Sequence, residues 1–464
     1  MQSRERVLAF FGQPDTRRAV NRLAFPCIME SLLMALVQYV DTAMVGSLGA
    51  ASTAAVAINA SPMWLLNGLM TAVGVGGTAL VARAIGAGNR REAEDACGQV
   101  LLGACLLGTL FTLAALALGD VLPRWMGAEP DVQPLAAAYL RIISLGFLPH
   151  YVGVALAAVL RGAGDTRTPM LLTSLANGLN VLGNFLLIYP TRTVTVLGAQ
   201  VTIWGAGWGV SGAAASTAAC TALAGVALFV LMQRPVSRLR LRPRGLRPMP
   251  VLLRRMLRVG GPAALERIAI NLGQIVFARM IAAFGTVALA AYHLSITVES
   301  LAYMPGYGMS SAATTLVGQS LGAREPEQAE RYGRTSARMG IAYMTLASVV
   351  MLLLANTLIG IFTDDPDVVR IGANLIRICA GYEPFFALAI VLTGALRGAG
   401  DTRSPFLLAM FSMWVVRMGV AALCAFGLGW GIYGAWAGMF ADLVVRGLLL
   451  QRRFKAGHWK TLEV

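Results

Sequence analysis

LRGAGDTRTP at Leu160–Pro169 returns as LRGAGDTRSP at Leu396–Pro405, an offset of 236 residues. The same offset holds far upstream without a gap. Pro26 falls on Pro262, Glu30 on Glu266, Gln38 on Gln274, Gly49 on Gly285, Thr78 on Thr314, Gly86 on Gly322 and Arg141 on Arg377. One register kept this long marks an internal duplication. It breaks only late, where Gly212 aligns with Gly434, an offset of 222. The first copy therefore carries extra residues around Thr191–Trp204, where Thr and Val alternate. That alternation predicts a small β-hairpin.

The material between the repeats is apolar. Of 464 residues 57% are hydrophobic and 13% charged, and the mean hydropathy is +0.66. A bilayer-crossing helix needs about 20 apolar residues. Runs of that kind start near residues 18, 52, 94, 133, 168, 206, 256, 288, 332, 369, 405 and 430. The expected fold is an all-α integral membrane protein of about twelve transmembrane helices in two six-helix lobes. The expected boundaries are 1–235 for the first lobe, 236–255 for a basic cytoplasmic linker and 256–464 for the second lobe. Met1–Arg22 is polar and basic, and it reads as leading straight into the first span rather than as a cleavable leader.

Six helices per copy is an even number, so both copies insert the same way round. Two like bundles related by an axis along the membrane normal enclose a cavity, and rocking them exposes it to either side in turn. That favours a pump or exchanger over a duplicated scaffold or passive channel.

A net charge of +15 raises the question of nucleic acid. Its distribution answers it. Placed on twelve spans, 30 of the 38 Lys and Arg fall on one side, five on the other, and Arg267, Arg279 and Arg417 within helices. Such asymmetry is a topology signal. It puts both termini in the cytoplasm, with the 234–258 segment against anionic lipid. Arg446 is counted here with the cytoplasmic tail.

Several chemistries find no support. The six cysteines lie singly in predicted helices, as packing residues. His150, His293 and His458 are isolated, so no metal site is expected. There is no GxxxxGK[ST] loop for nucleotide and no nucleophile–base pattern, so an enzyme is not expected.

Ionisable residues inside spans are functional candidates, because they are expensive to bury. Asp41 leads. It lies 15 residues after Pro26, roughly 22 Å along a helix, and its repeat mate is Phe277. A charge in only one lobe does not follow from scaffold symmetry. In a desolvated cavity a proton, a sodium ion and a cationic substrate could compete for it. Asn177, Asn180 and Asn184 follow one another at helical spacing, the last two on one face. Glu30 with Glu266 and Gln38 with Gln274 are mirrored, and symmetric pairs more often shape a fold than choose a substrate. Glu266, next to Arg267 and on one helix with Arg279, suggests a buried ion pair. Pro26 and Pro262 predict kinks. The two RGAGDTR loops read as cytoplasmic hinges with local Arg161–Asp165 and Arg397–Asp401 pairs.

Leu23-Ala24-Phe25-Pro26, Val40-Asp41-Thr42-Ala43-Met44-Val45-Gly46, Leu80-Val81-Ala82 with Gly86-Ala87-Gly88, and the doubled loop together resemble the multidrug and toxic compound extrusion (MATE) family, and within it the bacterial DinF-like branch. The resemblance covers nearly the whole chain. It implies secondary active efflux of amphiphilic, often cationic compounds, driven by inward flow of protons or sodium ions, with no cofactor. It also implies bending of the first helix at Pro26, and a first-lobe ion and substrate region at Asp41, Asn180 and Asn184, with a hydroxyl at Thr217. Some members carry Asp where this chain has Asn184. Another branch has second-lobe acids at the positions of Ile270 and Phe386. Both departures tilt the expected coupling toward protons. The expected setting is the inner membrane, as a monomer. A flippase for a lipid-linked precursor and an exporter of one dedicated metabolite remain open alternatives.

Overall fold

The computed structural model describes residues 16–196, 199–234, 239–241 and 243–462. Helix α1 is Thr16–Gly46, α2 Ala50–Gly86 and α3 Arg90–Leu118. Helix α4 is a bent pair, Gln133–Leu145 and Phe147–Gly162, meeting at 53°. Helix α5 is Arg167–Leu187, and α6 is Gly209–Gln233. The second set is α7 Pro250–Ala282, α8 Thr286–Gly322, α9 Pro326–Gly360, α10 Pro366–Gly398, α11 Arg403–Gly427 and α12 Gly431–Lys455. Among the described residues ten helices are long and apolar enough to cross a membrane, and the bent α4 makes eleven. Helix α7 has the length, 33 residues, but Glu266, Arg267 and Arg279 interrupt its apolar stretch. It begins at Pro250, inside the stretch expected to be linker.

Helices are dictated by the solvent. Hydrocarbon offers backbone groups no partner, so each span must bond internally. Leu106 and Leu353 are 71% and 75% exposed, as side chains facing lipid should be. Helix ends use ordinary signals: Pro250, Pro326 and Pro366 open helices with no N–H to lose, and Asp365 caps α10 by accepting from the N–H groups of Asp367 and Val368.

The duplication is legible in side-chain detail. In the first copy Thr78 Oγ1 donates to Ala158 O at 3.0 Å, and in the second Thr314 Oγ1 donates to Gly394 O at 2.8 Å. Asn59 Nδ2 donates to Ala136 O at 3.0 Å, and its mate Ser295 Oγ to Gly372 O at 3.3 Å. These pairs fix α2 on α4 and α8 on α10 alike.

The copies differ where the register breaks. A hairpin of β1 (Pro190–Val196) and β2 (Ala199–Ala206) joins α5 to α6. It is the predicted hairpin, with Leu197 and Gly198 outside the described residues. In the second copy α11 widens into π-helical turns at Phe411–Arg417 and Leu423–Gly427. It takes 25 residues where α5 takes 21.

The lobes exchange helix ends. Ala19, Val20, Leu23 and Ala24 of α1 are buried in a core built by α8, α9, α10 and α12. Met256 of α7, the mate of Val20, is buried in the core of the first copy. At the end of the bundle where α1 begins and α12 ends, α2 and α8 cross almost in contact. A Cβ on Gly86 would lie 1.9 Å from Gln319 O, and one on its mate Gly322 2.1 Å from Arg83 O. Only glycine permits that approach.

Candidate transport site

Asp41 sits half-buried in α1, five residues before the helix ends and away from the α2–α8 crossing. Asn184 Nδ2 of α5 donates to Asp41 Oδ1 at 2.6 Å. With its nitrogen toward the carboxylate, the Asn180 amide donates to Oδ2 at 3.0 Å and to Oδ1 at 3.1 Å. Its oxygen then accepts the Thr217 N–H at 3.2 Å and the Thr217 hydroxyl at 3.1 Å. This orientation alone gives both ends of the Asn180 amide complementary partners. The i, i+4 spacing on α5 therefore delivers two amides to one carboxyl, and α6 holds the inner amide in place.

Two polar atoms here have no partner: Asn184 Oδ1 and Asn177 Nδ2 are buried without a hydrogen bond. The first is an acceptor beside a carboxylate. Together with the Asp41 carboxylate it offers oxygen atoms of the kind that hard cations prefer. The second lies one turn away. No cluster of three or more His, Cys, Asp or Glu occurs among the described residues. Gln38, one turn before Asp41, is exposed, and Gln274 in α7 is half-buried. Neither touches the amide cluster in any described contact.

Pro26 lies buried inside α1, which runs as one helix from Thr16 to Gly46. Four residues on, Glu30 meets Arg161 Nη1 at 3.3 Å and accepts from Thr173 Oγ1 at 3.2 Å. Its mate Glu266 accepts from Arg397 Nη2 at 2.9 Å. This corrects two expectations. The loop arginines do not pair with the loop aspartates, because each reaches back to the glutamate of its own copy. Asp165 and Asp401 instead cap the next helices, Asp165 Oδ1 accepting Thr168 N–H and Asp401 Oδ1 accepting Ser404 N–H, both at 3.1 Å. Glu266 is accordingly taken by Arg397, not by Arg267 or Arg279. A guanidinium at the helix end outcompetes a sequence neighbour, whose side chain points a different way round the helix.

The place in the second copy that answers to Asp41 is built differently. Phe277 is fully buried between Tyr292 and Trp436. The guanidinium carbon of Arg417 lies 5.6 Å from its ring centre. Arg417 Nη2 meets Asp442 Oδ2 at 2.6 Å, and Arg446 Nη2 meets Oδ1 at 2.8 Å. Arg446 is thus a buried member of the bundle, not part of the tail. Its Nε donates to Ser412 Oγ at 2.8 Å. Nearby, Tyr382 Oη donates to Glu299 Oε1 at 2.7 Å, while both oxygens of Glu383 are buried without a donor.

The MatE family profile matches residues 26–186 and again 262–423, one match in each copy, their starts 236 residues apart. The chain belongs to the MatE family. A probable multidrug resistance protein NorM of Thermotoga maritima is 31% identical over 97% of this chain and 95% of its own length. Another, from Deinococcus radiodurans, is 30% identical over 94% of each. Among solved structures, an outward-facing multidrug resistance MATE transporter of the MOP superfamily superposes with a TM-score of 0.87 at 22% identity, covering 97% of this chain and 98% of that one. At that identity the superposition speaks for the fold alone.

Membership in this family of multidrug efflux transporters makes the chain a multi-pass membrane transporter and not an enzyme. It also sharpens what the sequence left unread. Glu299, Asp442 and Tyr382 were not singled out, although the test applied to Asp41 would have found Glu299, since its mate is Met63. Asp442 lies after the register break, where the 222 offset pairs it with Cys220. Tyr139 and Cys220 lie within electrostatic reach of Asp41, and they come from α4 and α6, which no motif ties to α1. Ile270 and Phe386 are apolar as read, and Phe386 packs edge-on against Tyr303 with centroids 5.5 Å apart.

Proposed function

We propose that this MatE protein exports amphiphilic, positively charged compounds by antiport with protons, and that Asp41 is the group for which cargo and proton compete. One observation carries the reading. Asp41 is a carboxyl inside a span, bonded only by neutral amides, with no lysine or arginine against it in any described contact. Every other intramembrane carboxyl with an ionic partner spends its charge on an arginine. A carboxylate held only by amides keeps its charge available to an incoming cation, and protonation releases that cation.

The amides also support a sodium ion at the same oxygens, as the second form of the coupling. Asn184 in place of an aspartate leaves a single formal negative charge, which suits one proton better than a dehydrated metal ion. The two lobes, expected at 1–235 and 256–464 with the second beginning already at Pro250 in α7, alternate about the cleft between them. Bending of α1 at Pro26 accompanies the change, and Asn177 and Gln38 line its approach. Glu30, Glu266 and Gln274 serve the frame. The basic end faces the cytoplasm, with both termini, and the protein works as a monomer in the inner membrane.

The test is efflux of ethidium from proteoliposomes carrying wild type or Asp41→Asn, with a pH gradient and a sodium gradient imposed separately. Export driven by the pH gradient and lost in Asp41→Asn is expected. Drive by sodium alone would overturn proton coupling. Absence of export under both would move a lipid-linked precursor or a dedicated metabolite to the front.

A further inference from the structure

Arg267 is an intramembrane charge that the efflux reading does not use. It projects from α7 against Gly68 of α2, where a Cβ would lie 3.6 Å from its Cγ. On the other side its guanidinium comes within electrostatic reach of the Tyr307 hydroxyl of α8. Helices α2 and α8 cross at Gly86 and Gly322 and separate from there. A side chain reaching both therefore lies in the fork between the lobes, above their crossing. Gly68 and Tyr307 stand 18 and 15 residues back from those glycines, roughly 27 and 22 Å.

Its nearest carboxylate is committed elsewhere. The residue keeps accessible surface. Its sequence neighbour Glu266 is bonded to Arg397 at 2.9 Å. No ion pair to Arg267 occurs among the described residues, whereas Arg161, Arg397, Arg417 and Arg446 each hold a carboxylate. The Tyr307 hydroxyl has an O–H to donate. Tyr303 stands edge-on to Tyr307, centroids 5.8 Å apart, giving an apolar wall beside the two polar groups. The repeat mate of Arg267 is Ser31, so symmetry of the scaffold does not call for a charge here. An unneutralised guanidinium inside a membrane protein is costly and marks a ligand path.

We propose that Arg267 with Tyr307 forms an anion subsite in the inter-lobe cleft, and that the cargo includes amphiphiles bearing a carboxylate. The planar fork of the guanidinium takes a carboxylate through two parallel N–H donors, and Tyr307 adds a third. This rests on the export reading and refines its substrate class from cations to compounds carrying an acidic group.

The experiment is equilibrium binding to the purified full-length protein in detergent, read by fluorescence polarisation. The probes are rhodamine B, which has a free carboxylate, and its ethyl ester, which has an ethyl group in place of that charge. Wild type should bind the acid more tightly than the ester. Arg267→Gln should weaken the acid by at least about tenfold, as loss of a charged hydrogen bond implies, and leave the ester within about twofold. Arg267→Lys should fall between. Melting curves establish that the variants are folded. Equal binding of the two dyes by wild type, binding of neither, or equal losses for both in Arg267→Gln would overturn the subsite. Dioleoyl phosphatidylglycerol added to the same micelles separates two sources of the anion. Failure to displace the acid supports a soluble carboxylate, and displacement overturns it in favour of a lipid phosphate. Because binding is measured without gradients, Asp41→Asn separates the two readings: lost export with intact acid selectivity would concern coupling alone.

Discussion

Arg83 and Gln319 are repeat mates, and each reaches into the opposite lobe. Arg83 Nη2 donates to Ala399 O at 2.7 Å, and Gln319 Nε2 donates to Gly162 O at 2.9 Å. The acceptors belong to the two RGAGDTR loops, so the most repeated sequence in the chain is where the lobes are latched. Thr315 Oγ1 adds a bond to Arg161 O at 2.9 Å. Close helix packing at Gly86 and Gly322 leaves these carbonyls no water, which makes each side-chain donor necessary. The latch joins the two lobes at the basic end, where α2 and α8 cross.

Removing the latch should shift the balance between the two facing states. Losing one bond to a buried carbonyl costs about 1–3 kcal/mol, roughly ten- to a hundredfold in population. Arg83→Ala with Gln319→Ala should therefore populate a form opened at the basic end. Spin labels at Asn89 and Arg403, both exposed at that end, would report it as a longer distance component absent from wild type. An unchanged distance distribution would mean that helix packing alone holds the end shut.

The mirrored glutamate–arginine pairs make a second prediction. Glu266 and Arg397 are mostly buried, so deleting the arginine strands a carboxylate. Arg397→Ala should destabilise by about 3 kcal/mol. Adding Glu266→Ala should restore part of that loss, because the orphaned charge goes with it. Thermal melts of the two single variants and the double variant, treated as a cycle, measure the coupling. The Arg161 pair should show less, since its contacts are longer, 3.3 Å against 2.9 Å.

In the second lobe the acids should differ sharply. Asp442 neutralises two buried guanidinium groups, and Asp442→Asn leaves them facing one another, for a loss of about 3–5 kcal/mol. Glu383 has no donor on either oxygen. Replacing it with Leu removes a desolvated polar group and should leave the melting temperature unchanged or higher. A large fall for Glu383→Leu would show that this carboxyl has a partner in another state of the cycle.

How far this was readable without coordinates depends on the symmetry. The repeat carried the helix count, the hairpin and the candidacy of Asp41, because an unbroken offset lets each residue be compared with a mate. Asn180 and Asn184 were found because helical spacing alone puts them on one face. What failed was direction round a helix. Glu266 beside Arg267 in sequence looked like a pair, and so did Arg161 with Asp165, yet side chains adjacent on a helix diverge and long guanidinium arms reach other elements. Arg446 was misassigned to the tail because charge near a terminus reads as solvent, while its partner Asp442 lay beyond the register break.

One turn shows the duplication under strain and yields the last prediction. Gly88, after α2, has φ +72, and its mate Arg324, after α8, has φ +63. Both turns close alike: Asn89 N donates to Ala84 O and Glu325 N donates to Ser320 O, each at 2.9 Å. The left-handed conformation is thus demanded by the bonds and not by the residue. Glycine meets it freely. For an arginine, Cβ crowds the carbonyl oxygen at roughly 1–2 kcal/mol, of which the added freedom of an unfolded glycine returns about 0.5–1 kcal/mol. Arg324→Gly should therefore stabilise the protein by up to about 1 kcal/mol, and Gly88→Arg should destabilise it by at least as much. Melting temperatures in detergent that move in opposite directions would bear this out. A fall in Arg324→Gly would mean that the arginine side chain contributes more at the basic end than its backbone strain removes.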